Sequence, residues 1–359
     1  MLESNECIVT VAVATFNSQD RLPDISRCIE EQGRFDPDLK IKIAIFDGGS
    51  TDKTVSLAQS LGFDVFINPR GDAISAKSLA LNLIETKYLV FLDHDEYLLN
   101  RGSIALRVRA MNKDSSIKAI LTQGYFSETG DHTSNRYASE FGDPLSAFVY
   151  RTSSLAKYRI NAFAKRLRVE YEDCTITVMR VGNGSPPLLC ELVACGTLVD
   201  REYFIKAFPE LTLNVDIVPH LYYMMASDNA FTKVGISKLD PVDHSTSTSW
   251  RQIYHKIRWR ISNRFALNDP ISNAGHKGRV LLIKSTSQNS NIRNNPGLRT
   301  VMFIPYTLLV IPVLVDSVYM AFTRRRFGYL MHFPLSFLVV FLSITYKFKQ
   351  LIGLRPSLL

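Results

Sequence analysis

The sequence predicts an α/β protein built on a doubly wound, largely parallel sheet, with a helical and apolar tail. Three observations support this fold class. Short β-branched runs alternate with helical segments through the first hundred residues, and a polar cluster follows most of these runs. Charge and hydropathy both change near residue 245. We therefore predict an α/β domain over residues 1–245, a basic amphipathic helix and linker over 246–299, and a membrane-associated helical hairpin over 300–359.

The first predicted strand is residues 8–14, IVTVAVA, which is typical of strands buried on both faces of a parallel sheet. Asn17 and Ser18 are suited to cap the helix that follows. Further predicted elements are a strand over 42–46, a helix over 54–61, a strand over 63–67, a helix over 73–83 and a strand over 88–92. Ligands of such a sheet bind at the carboxyl ends of its strands.

Residues 115–190 are less regular, with strand-like pieces at 119–123 and 175–181, and an α/β stretch follows over 192–223. A helix of different character begins near Trp250. Its apolar residues fall largely on one face and its basic residues elsewhere, which predicts a helix lying in a membrane interface. Residues 284–299 are rich in Ser, Asn and Gly and are interpreted as a linker.

Two apolar runs, 301–322 and 327–346, are each about the ~20 residues that cross a bilayer. Asp316 and three prolines, Pro305, Pro312 and Pro334, interrupt them. If both runs span, the arginines at 324–326 face away from the first domain, against the positive-inside tendency. A re-entrant or interfacial hairpin and a pair of buried soluble helices are the alternatives.

Residues 246–359 contain 16 Lys and Arg but 2 Asp and Glu, whereas the preceding residues contain 26 and 32. Basic charge mixed with apolar runs suits an anionic membrane surface and does not indicate a nucleic-acid binder.

The five cysteines show no metal or disulfide spacing, which predicts reduced thiols. The acidic N-terminus lacks the basic region of a signal peptide, so we expect the first domain to face the cytosol.

The polar clusters at the predicted strand ends define a candidate site. They comprise Thr15, Phe16 and Asn17, then Asp47, then Arg70, and finally Asp93 and Asp95. An aromatic ring, a carboxylate and a cation suit a nucleoside diphosphate. Two carboxylates one residue apart can meet one Mg²⁺ or Mn²⁺ ion that also binds diphosphate oxygens and helps the departing nucleotide carry its charge.

Three segments, VTVAVATFN, IAIFDGGSTDKT and ISAKSLALNLIETKYLVFLDHDE, together resemble the nucleotide-binding half of family 2 glycosyltransferases of the GT-A fold. The resemblance implies a nucleotide-sugar donor and a divalent cation. It implies donor-binding roles for Thr15, Phe16, Asn17, Asp47, Arg70, Lys77 and Asp93, and metal-ligand roles for Asp93 and Asp95. A structural role for Asp47 at the start of the next helix is the alternative. The sequence departs from the family at His94 and at Lys77-Ser78.

The segment CGTLVDREYFIKAFPELTLNVDIVPHLYY resembles the acceptor side of the same family. The resemblance implies that Asp216 is the catalytic base, although Val215 replaces the first acid of the usual pair. Asp200 and Glu210 are the alternatives. His244 matches a histidine that many members place after the last core strand, where it would be a third metal ligand or an ordinary surface residue.

The basic helix RQIYHKIRWR resembles that of exopolysaccharide- or succinoglycan-type members. Only two weak membrane segments follow this helix, fewer than a polymer-extruding synthase needs, so we expect transfer of one sugar to a lipid-linked or other membrane glycan acceptor at the cytoplasmic (inner) membrane. A polyprenyl-phosphate glycosyltransferase would need no base, because its acceptor is already an oxyanion. A nucleotidyltransferase is disfavoured, since no Gly-rich basic loop follows the first strand. A non-catalytic membrane scaffold is the remaining alternative.

Overall fold

The computed structural model describes residues 8–126, 133–151, 153–183, 185–186, 188, 190–244, 250–266 and 296–352. The chain divides into two compact units. Unit 1 comprises residues 1–126, 163–185 and 190–245, and unit 2 comprises residues 127–162, 186–189 and 246–359. The α/β part and the helical part therefore both draw on separate stretches of the chain.

Unit 1 alternates strands and helices through its first hundred residues. The elements are β1 (Ile8–Thr15), α1 (Leu22–Phe35), β2 (Lys40–Asp47), α2 (Thr54–Ser60), β3 (Asp64–Ile67), α3 (Ala73–Leu83), β4 (Tyr88–Asp93), β5 (Glu96–Leu98) and α4 (Ser103–Lys113). The four strands and three helices predicted between residues 8 and 92 are all confirmed. Their ends move by one or two residues, as expected from a local pattern.

The remaining elements of unit 1 are shorter. They are β6 (Ile117–Leu121), β7 (Gly124–Phe126), β8 (Val169–Glu172), β9 (Ile176–Val181), β10 (Leu198–Asp200), α8 (Arg201–Ala207), α9 (Leu221–Ser227), β11 (Thr232–Ser237) and β12 (Pro241–His244). Two 3₁₀ helices, Pro209–Thr212 and Val215–His220, precede α9. The helices α5 to α7, which come between β7 and β8 in the chain, are described below with unit 2.

Nine strands form the main sheet in the order β3-β2-β1-β4-β10-β6-β11-β9-β8. Strand β1 is parallel to both β2 and β4, whereas β10 is antiparallel to β4 and β6. The β-branched residues of β1 lie in the core because the sheet is covered there, with Val9, Val11 and Val13 fully buried. The mixed α/β sheet agrees with the predicted fold class.

A second, three-stranded sheet has the order β5-β12-β7. Strand β12 is antiparallel to β5, with His244 opposite Glu96, and parallel to β7. This small sheet joins the segment after β4 to the end of unit 1, and the sequence pattern did not predict it.

The predicted cap of α1 is wrong. The helix begins at Leu22 after Arg21, which makes no side-chain capping hydrogen bond. Asn17 and Ser18 bind the loop after β2 instead, with the Ser18 N–H donating to Thr54 Oγ1 at 2.7 Å. Both residues therefore connect two strand ends rather than start a helix.

Unit 2 is helical in its described residues. Its helices are α5 (Thr133–Phe141), α6 (Pro144–Tyr150), α7 (Ala156–Ala164), α10 (Trp250–Ala266), α11 (Pro296–Leu308), α12 (Ile311–Arg324) and α13 (His332–Leu351). A core cluster joins residues of α5, α6 and α10 with residues of α11, α12 and α13. Since α11 begins at Pro296, the predicted linker ends earlier than residue 299, and its remainder lies outside the described residues.

The apolar face of α10 is buried in unit 2. Ile253, Ile257 and Ile261 are 1–3% exposed and belong to the core cluster of this unit. The prediction that this face is free to lie in a membrane interface is therefore wrong for these three residues. Trp259, which did not fit the predicted face, is 57% exposed.

The two apolar runs differ in shape. Phe327–Leu351 is long and apolar enough to cross a membrane, and 44% of its most apolar window is buried inside the protein. The helices Gly297–Leu308 and Ile311–Arg324 satisfy the same test only as a pair, and they are bent by 96° at the break between them. By length and composition, the described residues thus contain one helix that could cross a membrane, or two spans if the bent pair counts as one.

Candidate active site

The carboxyl ends of β1, β2 and β4 lie side by side in the main sheet. Thr15 at the end of β1 pairs with Asp47 at the end of β2, and Ala14 pairs with Asp93 at the end of β4. Asp47 pairs in turn with Ile67, which ends β3. The prediction that the polar clusters converge at one edge of the sheet is confirmed.

Asp47 orders the turn that follows β2. The carboxylate is 3% exposed. One oxygen accepts from the backbone N–H of Gly49 at 3.0 Å and of Ser50 at 2.8 Å, and the other accepts from the Thr15 hydroxyl at 3.2 Å and from the Ser50 hydroxyl. An ionised carboxylate has about four acceptor positions. These contacts support the structural role for Asp47, and a contact with a nucleotide base stays a prediction.

Phe16 and Asn17 form the turn after β1. Asn17 has a φ of 47°, a left-handed conformation that asparagine tolerates. Its N–H donates to Ser50 Oγ at 2.8 Å, and its Oδ1 accepts from Thr51 N–H at 2.9 Å. These bonds fix the turn, and the ring of Phe16 in this turn is 53% exposed beside the strand ends. An exposed ring held by a rigid turn is suited to contact a planar nucleobase.

The loops after β2 and β3 touch backbone to backbone. A Cβ atom built on Gly48 would lie 3.0 Å from the carbonyl oxygen of Gly71. This close approach places Arg70, the residue before Gly71, next to the Asp47 turn. The Arg70 guanidinium pairs with Asp72 at 3.1 Å and with Asp216 at 2.9 Å, and the bond to Asp216 raises its pKa.

Asp216 reaches this edge from a distant part of the sequence. It lies in the 3₁₀ helix Val215–His220, whose first turn is capped by Asn214 through a 3.0 Å bond to the Asp216 N–H. The structure therefore brings the predicted base to Arg70, which was predicted to face the diphosphate. The side chain of Asp216 is 23% exposed and remains open to a hydroxyl group.

The two alternative bases are placed differently. Asp200 pairs with Tyr88 at the amino end of β4, which is the opposite end from Asp93. It accepts from Lys118 Nζ at 2.8 Å and caps α8. Glu210 is exposed on the 3₁₀ helix Pro209–Thr212. Asp216 differs from both because it forms an ion pair with another predicted site residue, Arg70.

Lys77 binds the first carboxylate of the Asp-His-Asp motif. Its Nζ lies 2.9 Å from Asp93 Oδ1, and the Lys77 side chain is 10% exposed. Burial disfavours the ammonium charge, but Asp93 and Glu96 outweigh burial and raise the pKa of Lys77. A buried, charged lysine on α3, in contact with the end of β4, is suited to a phosphate oxygen.

Asp95 meets His244 across the small sheet. His244 Nε2 lies 3.4 Å from Asp95 Oδ2, and both side chains are largely buried, at 19% and 16% exposure. The ring of Tyr125 from β7 stacks on His244 with centroids 4.6 Å apart. The structure thus brings these two predicted ligands together, while Asp93 contacts Lys77.

A carboxylate oxygen and an imidazole nitrogen at this separation fit one Mg²⁺ or Mn²⁺ ion. Within the described ranges, however, no group of three or more His, Cys, Asp or Glu residues has an arrangement that could hold a metal. The protein residues therefore fit a partial site, whose remaining ligands would be diphosphate oxygens and water. The metal-ligand roles of Asp93, Asp95 and His244 stay predictions.

Sequence reasoning missed two residues of this cluster. Glu96 is 1% exposed and accepts from the Asp93 N–H at 3.0 Å and from the Tyr125 hydroxyl. Burial and the neighbouring charge of Asp93 raise the pKa of Glu96 to about 7. Glu96 directly follows the Asp-His-Asp motif, so adjacency could have drawn attention to it, whereas nothing in the sequence connects Tyr125 to this site.

A model of the family described as Glycosyl transferase family 2 matches residues 10–181. The matched segment is similar to family 2 glycosyltransferases. The match contains the strand ends, Lys77 and the Asp-His-Asp motif, and it confirms the resemblance seen in the sequence for these residues. No curated protein matches the chain.

Solved structures show distant likenesses. A mannosyltransferase from Pyrobaculum calidifontis, in complex with GDP-Man and Mn²⁺, is 12% identical, with 96% of this chain and 87% of that chain covered and a TM-score of 0.45. Mannosyl-3-phosphoglycerate synthase from Rubrobacter xylanophilus is 15% identical, with coverages of 81% and 78% and a TM-score of 0.42. TarS from S. aureus is 11% identical, with a TM-score of 0.41, and the matched part is 78% of this chain but 42% of TarS. Likenesses at this level say nothing about the ligands of the present chain.

Proposed function

We propose that the chain is an inverting glycosyltransferase that transfers one sugar from a nucleotide-sugar donor to a lipid-linked or other membrane glycan acceptor. The observation that carries the proposal is the group of paired polar side chains at one edge of the sheet. Lys77 is paired with Asp93, Arg70 with Asp216, and His244 with Asp95. Two cations, a base candidate and a partial metal site are the groups that transfer from a sugar diphosphate requires.

The donor would bind across the strand ends. The Phe16 ring and the backbone of the Asp47 turn would contact the nucleoside, while Lys77 and Arg70 would contact the diphosphate. Asp93 would bind the ribose, and Asp95 with His244 would hold Mg²⁺ or Mn²⁺. When bound, such an ion would offset part of the negative charge on the leaving diphosphate.

Asp216 would act as the general base. The acceptor hydroxyl oxygen attacks the sugar C1, the bond between C1 and the diphosphate oxygen breaks, and the hydroxyl proton passes to the Asp216 carboxylate. Nucleoside diphosphate leaves with the electron pair of the broken bond. Attack from the face opposite the leaving group inverts the configuration at C1.

Arg70 couples donor binding to the base in this proposal. The guanidinium pairs with Asp216 and so occupies the carboxylate oxygen that would accept the proton. A diphosphate carries more negative charge than one carboxylate and would compete for Arg70. Donor binding would then free Asp216 to accept the proton.

The acceptor side of the proposal rests on the tail. Basic residues and exposed apolar residues in unit 2 suit a membrane, so we place the enzyme at the cytoplasmic membrane with its catalytic domain facing the cytosol. Few candidate spans favour addition of a single sugar over extrusion of a polymer. Synthesis of a polysaccharide or glycoconjugate of the exopolysaccharide type is the pathway class that fits.

The experiment is a titration of the purified full chain with UDP and GDP, with and without Mn²⁺, followed by a donor screen that measures release of nucleoside diphosphate. We expect one nucleotide to bind more tightly with Mn²⁺. Asp95→Asn should abolish this Mn²⁺ enhancement, whereas Asp64→Asn, an exposed carboxylate at the amino end of β3, should leave it unchanged.

Two results would overturn parts of the proposal. Failure of both nucleotides to bind under all conditions would favour the non-catalytic scaffold. Release of nucleoside diphosphate that depends on polyprenyl phosphate and survives Asp216→Asn would favour the polyprenyl-phosphate glycosyltransferase, because that acceptor needs no base.

A further inference from the structure

The bent helix pair α11–α12 is too short on each side of its bend to cross a bilayer. The pair is bent by 96°, and Val310 in the break has a φ of 63°. At 1.5 Å per residue, the twelve residues Gly297–Leu308 extend about 18 Å and the fourteen residues of α12 about 21 Å. Both lengths fall well below the ~30 Å hydrocarbon thickness of a bilayer.

The outer surface of this pair is apolar. In α12, the buried side is formed by Val313, Ser317, Met320 and Ala321. Four consecutive residues at the bend are exposed by 42–71%, and an apolar face continues along α12. The exposed apolar residues are Leu308, Leu309, Val310, Ile311, Leu314, Val315, Val318, Tyr319 and Phe322. We call these nine residues the knee surface.

The acidic residue of this segment belongs to the inner side. Asp316 accepts from Arg151 at 2.6 Å and from the Tyr306 hydroxyl at 2.7 Å, and its side chain is 21% exposed. Asp316 therefore does not place a free charge on the knee surface. Contiguous exposed apolar surface of this kind marks an interaction site or a membrane contact.

Helix α13 is unsuited to be a straight span even though it is long enough. Its Tyr346 hydroxyl contacts Arg258 Nε of α10 at 3.3 Å, and both helices contribute to the core of unit 2. Arg251 and Lys256 of α10 are exposed. A bilayer around α13 would therefore place charges of α10 in hydrocarbon, which disfavours a span.

We propose that unit 2 binds a membrane monotopically, with the knee surface inserted into one leaflet and no segment crossing it. The occupant of the knee surface is the lipid of an anionic bilayer. Arg325 and Arg326 directly follow α12, are exposed, and would reach the headgroups of the same leaflet. This inference deepens the membrane part of the proposed function and is independent of its chemistry.

Charge distinguishes lipid from a second copy of the chain as the occupant. Residues 246–359 hold 16 basic and 2 acidic residues, so two copies facing each other through this region would repel. An anionic leaflet provides both the apolar interior and the complementary charge. Self-association through the knee surface is the outcome that the test must exclude.

The first experiment measures topology in sealed proteoliposomes containing the full chain. A membrane-impermeant maleimide is applied to the Arg326→Cys variant and, separately, to the Ile352→Cys variant, whose introduced thiol lies beyond α13. Labelling of the introduced thiol and of the native, exposed Cys174 in unit 1 is quantified for each variant by peptide mass spectrometry. We expect both thiols to be labelled from the same side in the same proportion. Labelling of the two thiols from opposite sides would show a span and overturn the proposal.

The second experiment measures binding to vesicles. The Leu309→Glu, Ile311→Glu double variant should lose at least about ten-fold in partitioning to vesicles of phosphatidylglycerol mixed with phosphatidylcholine, because apolar burial and anionic attraction together set the affinity. The matched control is Phe231→Glu, because Phe231 is 61% exposed in unit 1. Unchanged partitioning of the double variant, or its conversion from dimer to monomer without loss of lipid binding, would refute a lipid-binding knee surface.

Nucleotide binding separates this inference from the proposed function. The double variant should bind UDP or GDP as the unmodified chain does, which also shows that unit 1 is folded. A chain that binds vesicles through the knee surface but binds no nucleotide would refute the proposed chemistry alone. If the double variant does not fold, the labelling of the Arg326→Cys and Ile352→Cys variants decides the inference by itself.

Discussion

At the scale of single residues, the ion pair between Asp216 and Arg70 keeps each side chain from its proposed role. Their ion pair at 2.9 Å stabilises the carboxylate and occupies the guanidinium. Both groups would be needed for transfer, one as a base and the other as a diphosphate ligand. Removing the Asp216 charge should therefore affect catalysis and nucleotide binding in opposite directions.

Asp216→Asn should lower the rate of transfer to a hydroxyl acceptor by about 10²–10⁴-fold, the range expected for loss of a general base. Affinity for the nucleoside diphosphate should be equal or tighter, because Arg70 no longer pairs with a carboxylate. Transfer rates and calorimetric titrations measure the two effects. Glu210→Gln, which changes an exposed carboxylate nearby in the chain, is the matched control, and parallel loss of rate and nucleotide affinity in Asp216→Asn would reject the base role.

The cysteines provide a pH-dependent prediction. Burial raises the pKa of Cys28 from 9.0 to about 11, and its thiol donates to the Leu98 carbonyl oxygen at 3.4 Å. At pH 8 its thiolate fraction is then about 100-fold below that of an ordinary thiol. The alkylation rate of Cys28 should rise about ten-fold per pH unit between pH 8 and 10, since only the thiolate reacts.

Mass spectrometry of the alkylated peptides measures this rate, and the exposed Cys174 serves as the internal control. The raised pKa of Cys28 also makes the stability of the fold depend on pH. Between about pH 9 and 11 the unfolded thiol loses its proton while the folded one retains it, so this group destabilises the fold as the pH rises. Alkylation of Cys28 at pH 8 as fast as in urea-unfolded protein would contradict the prediction.

At the scale of secondary-structure elements, a buried ion pair fixes the turn that leads to His244. Arg107 on α4 contacts Asp240, between β11 and β12, at 3.0 Å, and both side chains are 2% exposed. Asp240 also accepts from Ser103 Oγ and from Gln123 N–H, each at 3.0 Å. The start of β12, and with it the position of His244, thus depends on this pair.

Arg107→Met should destabilise the protein by about 3–5 kcal/mol, because Asp240 would be left as a buried charge without its partner. The double variant Arg107→Met, Asp240→Asn should recover part of this loss. Urea denaturation followed by far-UV circular dichroism measures both values. The control, Arg109→Met, removes a largely exposed arginine paired with Asp36 and should cost about 0–1 kcal/mol. An equally small effect of Arg107→Met would show that the buried pair contributes little.

At the scale of the whole molecule, the two units interleave along the chain. Helices α5 and α6 come from the middle of the sequence, yet their apolar residues pack in the core of unit 2 with α10 and α13. Tyr137 is 1% exposed and Leu145 5% exposed within that core. The boundary predicted at residue 245 therefore separates α5 and α6 from the helices that cover them.

Truncation after residue 245 should yield a protein that aggregates, because the apolar residues of α5 and α6 would lose their partners. Size-exclusion chromatography and thermal unfolding of the 1–245 fragment, beside the full chain in the same detergent, measure this outcome. A monodisperse fragment with an unchanged melting temperature would show that residues 1–245 are an independent domain.

The sequence alone determined the local elements and their order. Strand and helix periodicity are local properties, so β1 to β4 and α1 to α3 could be read directly, and parallel strands bring their carboxyl ends to one edge. Asp47, Asp93 and the residues after β1 were therefore placed together correctly. The apolar and basic composition of the tail was equally a property of the sequence.

Only the tertiary structure decided which distant residues meet. The pairing of Asp95 with His244, of Arg70 with Asp216, and the stacking of Tyr125 on His244 depend on the second sheet and on a 3₁₀ helix far along the chain. An amphipathic pattern likewise shows that α10 has an apolar face, but protein and lipid are both apolar partners. Packing alone, by burying Ile253, Ile257 and Ile261, selected protein as the partner of that face.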